Sequence, residues 1–166
     1  MTSLINFSES HLEETYRWIS DKRIRKNFFL RRTITFQDHL NWFESYQNDC
    51  TQKIFAITEN DIHCGNCGFK FINPVDEKAE LWIYLGGTTF EGRGVASSAL
   101  RLLLNFGFNE LGLNKVYLHV AENNLRALKL YQREGFKLEG IFERDMKIDD
   151  EYITIKRLCC FRNEGL

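Results

Sequence analysis

Residues 79 to 111 carry two periodicities back to back. Ala79-Glu-Leu-Trp-Ile-Tyr-Leu85 alternates, with Leu81, Ile83 and Leu85 on one face and Glu80, Trp82 and Tyr84 on the other, the pattern of a strand with two unlike sides. After Gly86-Gly-Thr-Thr-Phe-Glu-Gly-Arg-Gly94 the period changes. From about Val95 to Leu111 the polar residues Ser97, Arg101, Asn105 and Asn109 recur at every fourth position and the rest is mostly apolar, which predicts a helix buried around most of its circumference. A helix this apolar has to be covered by other elements, and the strand before it makes a sheet one of them, which fits an α/β or α+β chain.

The rest of the chain extends that frame. Leu4 to Phe7 reads as a short first strand, and Ser8 or Ser10 as the cap of a helix through Ile19. Thr35 caps a second helix in which Phe36, Leu40, Phe43 and Tyr46 or Gln47 follow the helical period. Strands are predicted at Lys53–Thr58, at His63–Ile72 up to the Asn73-Pro74 turn, and at Lys115–Val120. Leu125 to Glu134 reads as a helix closed by Gly135, and Phe136–Met146 with Tyr152–Phe161 as a final hairpin. The order is β-α-α-β-β-β-α-β-α-β-β, a mixed sheet with helices against it.

At 166 residues one domain, 1–166, is expected. The 22 Lys+Arg against 23 Asp+Glu leave a net charge of −1, which argues against a general nucleic-acid binder. The most apolar stretch, Ala99–Phe108, is broken by Arg101 and Asn105 and is too short to span a membrane. MTSLINFSESHLEE has no basic region before an apolar run, so no signal peptide is expected. Five cysteines, an odd count, suit a reducing cytoplasm better than a secreted disulfide framework.

Strand, then Glu91-Gly92-Arg93-Gly94-Val95-Ala96, then helix is an arrangement that can cradle a phosphate. Glycines let the backbone approach an anion, and unpaired N–H groups at the helix start point toward it. A plain strand–helix turn would look the same. Further on stands Asn124-Leu-Arg-Ala127-Leu-Lys-Leu130-Tyr131, followed by Gly135-Phe136. Together the two segments resemble the GNAT superfamily of acetyl-CoA-dependent N-acetyltransferases, and the element order over nearly the whole chain is similar to that fold. Glu91 departs from the Gln or Arg usual there, so its carboxylate is expected to turn away from the anion.

The resemblance implies a mixed sheet of about seven strands, splayed between the fourth and fifth and flanked by about four helices. It implies acetyl-CoA as co-substrate. Backbone groups of Ile83, Tyr84 and Leu85 would pair with the pantetheine arm. The N–H groups of Gly92, Arg93, Gly94, Val95, Ala96 and Ser97 would hold the pyrophosphate, and Asn124 would bond the cofactor arm. Tyr131 would be the general acid for the leaving thiolate; without the resemblance it reads as a core tyrosine.

Only a neutral amine attacks a thioester. Deprotonating a lysine-like amine of pKa ~10.4 costs about 4.6 kcal/mol at pH 7, against about 1.4 for an amine of pKa ~8. The first needs a base. The two candidates are Glu80, on the strand before the loop, and His119, on the next strand; each also reads as an ordinary sheet residue.

Residues 17 to 32, RWISDKRIRKNFFLRR, hold seven basic residues and one acid, so this segment carries +6 against −7 elsewhere. A solvated helix face is the common fate of such a run; an anion-attracting acceptor wall is the alternative. RWISDKRIRKNFF followed by ITFQDHLNWFES resembles the nucleotide-linked amino-sugar acetyltransferases, with Arg25, Arg31, His39 and Trp42 as the implied acceptor-binding residues. The expected acceptor is therefore a small, anionic amine, with an amino sugar ahead. A ribosomal-protein N-terminus or a polyamine such as spermidine is the second reading, and a CoA-binding sensor module is the non-enzyme one. A homodimer is the one assembly entertained. Cys64-Gly-Asn-Cys67 lacks a second cysteine pair at zinc spacing, so no metal is expected, and Cys159-Cys160 read as buried thiols.

Overall fold

The structure, a computed structural model, describes residues 1–27, 33–148 and 150–162. Seven strands form one sheet in the order β1-β2-β3-β4-β5-β7-β6, comprising β1 (Thr2–Asn6), β2 (Lys53–Glu59), β3 (Ile62–Asn73), β4 (Lys78–Leu85), β5 (Lys115–Ala121), β6 (Lys137–Ile148) and β7 (Glu151–Phe161). All neighbours are antiparallel except β4 and β5, which run parallel. The crossover between them is the glycine loop and the apolar helix, as a parallel pair requires.

Five helices are present among the described residues: α1 (Leu12–Ser20), α2 (Lys22–Asn27), α3 (Phe36–Gln47), α4 (Val95–Asn109) and α5 (Leu125–Arg133). The one beyond the expected four is α2. Its sequence KRIRKN has a single apolar residue, so it shows no amphipathic period. Its start is marked instead by Asp21, whose carboxylate accepts from the Arg23 backbone N–H at 2.8 Å.

Each sheet face has its own core. On one, β2–β5 and β7 pack Phe69, Leu81, Val116, Leu118 and Leu158 against Leu100, Leu103, Leu104 and Phe108 of α4 and Leu128 and Tyr131 of α5. On the other, Ile54 and Ala56 of β2 meet Leu12 of α1 and Phe43 of α3, with Phe7 between them. The alternation read in β4 divides along this line. Leu81 is buried in the first core with Ile83 and Leu85 packed against it, while Trp82 joins the second. The apolar face of α4 is narrower than expected, since Leu102 is exposed.

The α1 helix is tied to the sheet by a buried amide. Asn66 on β3 donates to Thr15 Oγ1 of α1 and to the Tyr84 hydroxyl of β4, both at 2.8 Å, and its Oδ1 lies 2.9 Å from His63 Nε2. The Trp18 ring lies against Gly86, just past the end of β4, where any side chain would overlap it.

Two β3 glycines are there because the backbones come close: a Cβ at Gly65 would overlap the Tyr84 carbonyl oxygen, and one at Gly68 the Lys53 carbonyl oxygen. Gly68→Ala should lower the unfolding free energy by about 1–3 kcal/mol. Gly87→Ala, where a Cβ meets open space, should change it by less than about 0.5 kcal/mol. Urea denaturation of both variants measures this, and equal losses would show that close approach is not what selects glycine at 68.

Candidate active site

Strands β4 and β5 are paired over only three residue pairs, Lys78 with Lys115, Ala79 with Val116 and Glu80 with Tyr117. Beyond Glu80 they part. β4 stays on β3 as far as Leu85 with Gly65, and β5 stays on β7 as far as Ala121 with Ile155. The wedge between them opens into a cleft of about 950 Å³. Leu81–Leu85 form one wall and His119–Ala121 the other, and the β4 edge facing the wedge has no strand on it among the described residues.

The glycine loop closes the far end. Gly92 and Gly94 both have positive φ, 73° and 80°, conformations open mainly to glycine. Gly94 is the N-cap of α4, and no side chain caps it among the described residues. The first backbone bond, Ser98 N–H to Gly94 C=O at 3.0 Å, leaves the N–H groups of Val95, Ala96 and Ser97 without an intrahelical acceptor. Such a terminus favours an anion through both its donors and its dipole. Glu91 does not spoil it, because its carboxylate pairs with the Arg126 guanidinium of α5. Lys129 and Arg133 of α5 also line the cleft and add positive charge.

The α5 helix sets the floor. Asn124 is its N-cap, accepting from Ala127 N–H at 3.2 Å, and lines the cleft. Tyr131 lies two turns on, buried edge-on against Phe136 and also lining the cleft. Burial pushes its phenol upward, so the hydroxyl keeps its proton. Glu134, next to the end of α5, accepts from Arg101 Nε of α4 at 2.6 Å and from the Ser97 hydroxyl. Burial alone would raise the Glu134 carboxyl, but hydrogen bonds from Arg101 and Ser97 hold it below the ordinary value. This latch joins the helix carrying Asn124 and Tyr131 to the first turn of α4.

Glu80 and His119, the two base candidates, meet at the point where the strands part. Glu80 is 8% exposed, and its Oε1 lies 3.2 Å from His119 Nδ1 and 3.0 Å from Lys70 Nζ. Burial works to raise the Glu80 carboxyl, but the hydrogen bond from His119 and the Lys70 charge bring it below the usual range. Lys70 escaped the sequence reading because its partner lies on the other arm of the β3–β4 hairpin. The register pairs Lys70 with Glu80 only because it shifts between Lys70 and Asn73; counting outward from the Asn73-Pro74 turn would have set Phe71 against Glu80.

Several expected residues lie elsewhere. His39 is buried, stacked on Trp42 at 5.2 Å, and Trp42 packs into the α1–α3 core. Neither His39, Trp42, Arg25 nor Arg93 is among the described residues that line the cleft, and Arg31 lies outside the described residues. The helical period that aims Phe43 inward also turns His39 toward the core, away from an acceptor wall. Arg23 and Ile24 of α2 line the cleft instead. Part of the basic run is neutralised locally, since Arg17 pairs with Glu13 at 2.7 Å and Arg23 with Asp21 at 2.7 Å. Cys64 and Cys67 are both buried on β3, and burial pushes the Cys64 thiol up to about 11. Cys159 and Cys160 are both buried.

A split parallel pair beside a glycine-started, uncapped helix is the architecture of a protein that holds a long, phosphate-bearing acyl carrier. Residues 3–137 match the acetyltransferase (GNAT) domain family. The chain belongs to that family of acetyl-CoA-dependent enzymes. It is 33% identical over 148 residues to a spermidine N(1)-acetyltransferase of Vibrio cholerae, covering 89% of this chain and 85% of that one. It is 28% identical to the Escherichia coli spermidine N(1)-acetyltransferase over 75% of its own length, a match spanning just under two thirds, 66%, of that relative. It is 25% identical to the acetyltransferase PseH of Campylobacter jejuni over 96% of this chain and 97% of that one. Among solved structures, the V. cholerae spermidine N-acetyltransferase in complex with CoA and spermine shares the fold, with a TM-score of 0.93 at 23% identity over 98% of this chain and 96% of that one. None of the described helices is long and apolar enough to cross a membrane.

The latch at Glu134 has a pH signature. Its folded carboxyl sits below the unfolded value of about 4.3, so its stabilisation is complete above that value and is lost as pH falls through the lower folded one. Glu134→Gln should therefore lower Tm more at about pH 7 than at about pH 3. Thermal scans at the two pH values measure this, and an equal loss at both would mean that the carboxylate charge contributes nothing.

Proposed function

We propose that this chain transfers acetyl from acetyl-CoA to a primary amine of a small molecule, a polyamine of the spermidine type being the first acceptor. The observation that carries the reaction is the meeting, in one cleft, of Tyr131 with the Glu80–His119 pair. That chemistry favours an enzyme over a CoA-binding sensor. The acceptor reading rests on the V. cholerae relative, which matches most of both chains. A nucleotide-linked amino sugar is the second reading. It is favoured by Arg23 on the cleft wall and by the match to PseH along nearly the whole chain.

The residues fit the co-substrate from end to end. The edge of β4 that faces the wedge, at Ile83, Tyr84 and Leu85, would offer peptide groups to the amides of a pantetheine arm, as a neighbouring strand would. The N–H groups of Gly92 to Ser97 face a pyrophosphate, and Arg126 and Lys129 add charge beside it. Asn124 stands at the arm, beside its own helix cap. When bound, acetyl-CoA supplies an acyl carbon activated as a thioester. The base takes one proton from the acceptor ammonium. Tyr131 gives its hydroxyl proton to the sulfur as the C–S bond breaks, and the second proton leaving the amide nitrogen restores it. The balance is one ammonium and one acetyl thioester consumed, with one amide, one thiol and one proton formed.

Saturating acetyl-CoA should raise Tm, since a ligand at a hundred times its Kd stabilises by about 2.7 kcal/mol. No shift at millimolar concentration would remove the co-substrate assignment. CoA release measured with spermidine, UDP-linked amino sugars and Ala- or Ser-initiated peptides ranks the acceptors. Turnover with spermidine supports the first reading, and turnover with the sugars alone replaces it with the second. Tyr131→Phe should lower kcat by about 10²-fold or more and leave the acetyl-CoA KM nearly unchanged. An unaltered kcat would take Tyr131 out of the chemistry.

A further inference from the structure

The acetyl-transfer reading needs a base but does not say which group it is, and the geometry separates the two candidates. We infer that His119 takes the proton from the acceptor amine, and that Glu80 and Lys70 are positioning residues that hold His119 in the tautomer able to do so. This rests on the acetyl-transfer reading, and adds to it a role for each member of the group and one member, Lys70, that its sequence position does not suggest.

The geometry is asymmetric. Glu80 Oε1 is engaged from two sides, by Lys70 Nζ at 3.0 Å and His119 Nδ1 at 3.2 Å. A carboxylate so engaged accepts hydrogen bonds from both neighbours and is a poor acceptor for a further proton. The Nδ1 of His119 serves as donor to that carboxylate, so the ring's lone pair is on Nε2. Glu80 is 8% exposed, whereas the His119 side chain is 29% exposed and on the cleft wall. The rings of Tyr117 and Phe142 flank the imidazole at 5.9 and 6.1 Å. Lys70 keeps the buried carboxylate charged, and this in turn keeps the imidazole aligned.

Charged groups surround the pair from each neighbouring strand. Lys70 comes from β3 and Glu80 from β4. Arg157 of β7 stands opposite His119 in the strand register, with its guanidinium 4.0 Å from the Tyr117 ring centroid. Glu139 of β6 takes up the Arg157 Nε at 3.0 Å, and Asp145 of β6 lies on the cleft wall. Removing Glu80's charge therefore makes the His119 surroundings more positive, and removing Lys70's makes them more negative. The two changes should move the His119 titration in opposite directions.

Two measurements test this. The first needs no turnover. The chain has four histidines, and long-range ¹H–¹⁵N correlation, with His119→Gln to assign the signal, should show neutral His119 protonated on Nδ1. Its signal should change protonation at lower pH in Glu80→Gln and at higher pH in Lys70→Met than in the unaltered chain. A ring protonated on Nε2, or shifts of the same sign in both variants, overturns the proposal. The second is the pH dependence of kcat/KM for the acceptor at saturating acetyl-CoA. The acid limb should follow the same opposite shifts, and His119→Gln should lower kcat by about 10²-fold or more with little change in the acetyl-CoA KM. If His119→Gln keeps kcat within about threefold and Glu80→Gln abolishes the acid limb, Glu80 is the base and the assignment is reversed. Should no amine be acetylated at all, the acetyl-transfer reading fails, while the tautomer measurement still decides how the three residues are arranged.

Discussion

Three residue pairs hold β4 to β5, and the rest of the molecule is organised by what happens where they stop. A parallel pair has no hairpin to close it, so its crossover must run through a loop and helix on one face of the sheet. Here that crossover carries the glycine turn and α4. Right-handed twist then rotates neighbouring strands apart, and past Glu80 no strand pairing joins the two among the described residues. The wedge, the exposed edge of β4 and the nearby helix N-terminus all follow from that single interruption. A ladder running to Leu85 would have given a sealed sheet with no cleft.

The latch and the hub are placed to make this interruption tolerable. Glu134 ties α5 to α4 behind the cleft, with Arg101 and Ser97 satisfying a carboxylate that would otherwise be unstable in a buried position. Glu80 does the equivalent between strands, drawing partners from β3 and β5 onto one oxygen. In each case a buried charge costs less because it is shared between two elements. The elements so joined are those that must keep a fixed distance if a long ligand is to reach from the glycine loop to Tyr131.

Much of this was legible in the sequence because it is local. The alternation of β4, the period of α4, the Gly92 and Gly94 turn and the Gly135 stop of α5 each depend on neighbours within one or two turns of chain, and the structure has all four. The Glu80–His119 contact was half visible: both residues were candidates, but their meeting depends on parallel pairing across a crossover, which no local pattern encodes. Lys70 was hidden by the register shift in the β3–β4 hairpin, and Glu134 and Arg126 because their partners come from other elements that meet α5 only in the folded chain. His39 and Trp42, expected on an acceptor wall, lie in the packing of α3 instead, because an aromatic helix face reads alike whether it meets solvent, ligand or core. Only the packing of α3 on β2 distinguishes them, and it puts His39 inside.

Among the described residues, the first fifty meet the cofactor half of the molecule at a few named side chains and along β1, whose Leu4 packs against the larger core. Asn66 reaches Thr15, Trp18 rests on Gly86, and β1 lies along β2 at the sheet edge farthest from α5. Such a segment behaves as a replaceable jaw. Its exposed surface can change with little effect on the glycine turn or Tyr131, while Arg23 and Ile24 of α2 reach the cleft wall itself. What must be kept is a small hydroxyl at 15, an indole at 18 and the strand at the edge. Proteins that share this chassis while differing in the molecule they modify are a direct outcome of that division, and the chemistry of a new acceptor can be explored by changing the jaw alone.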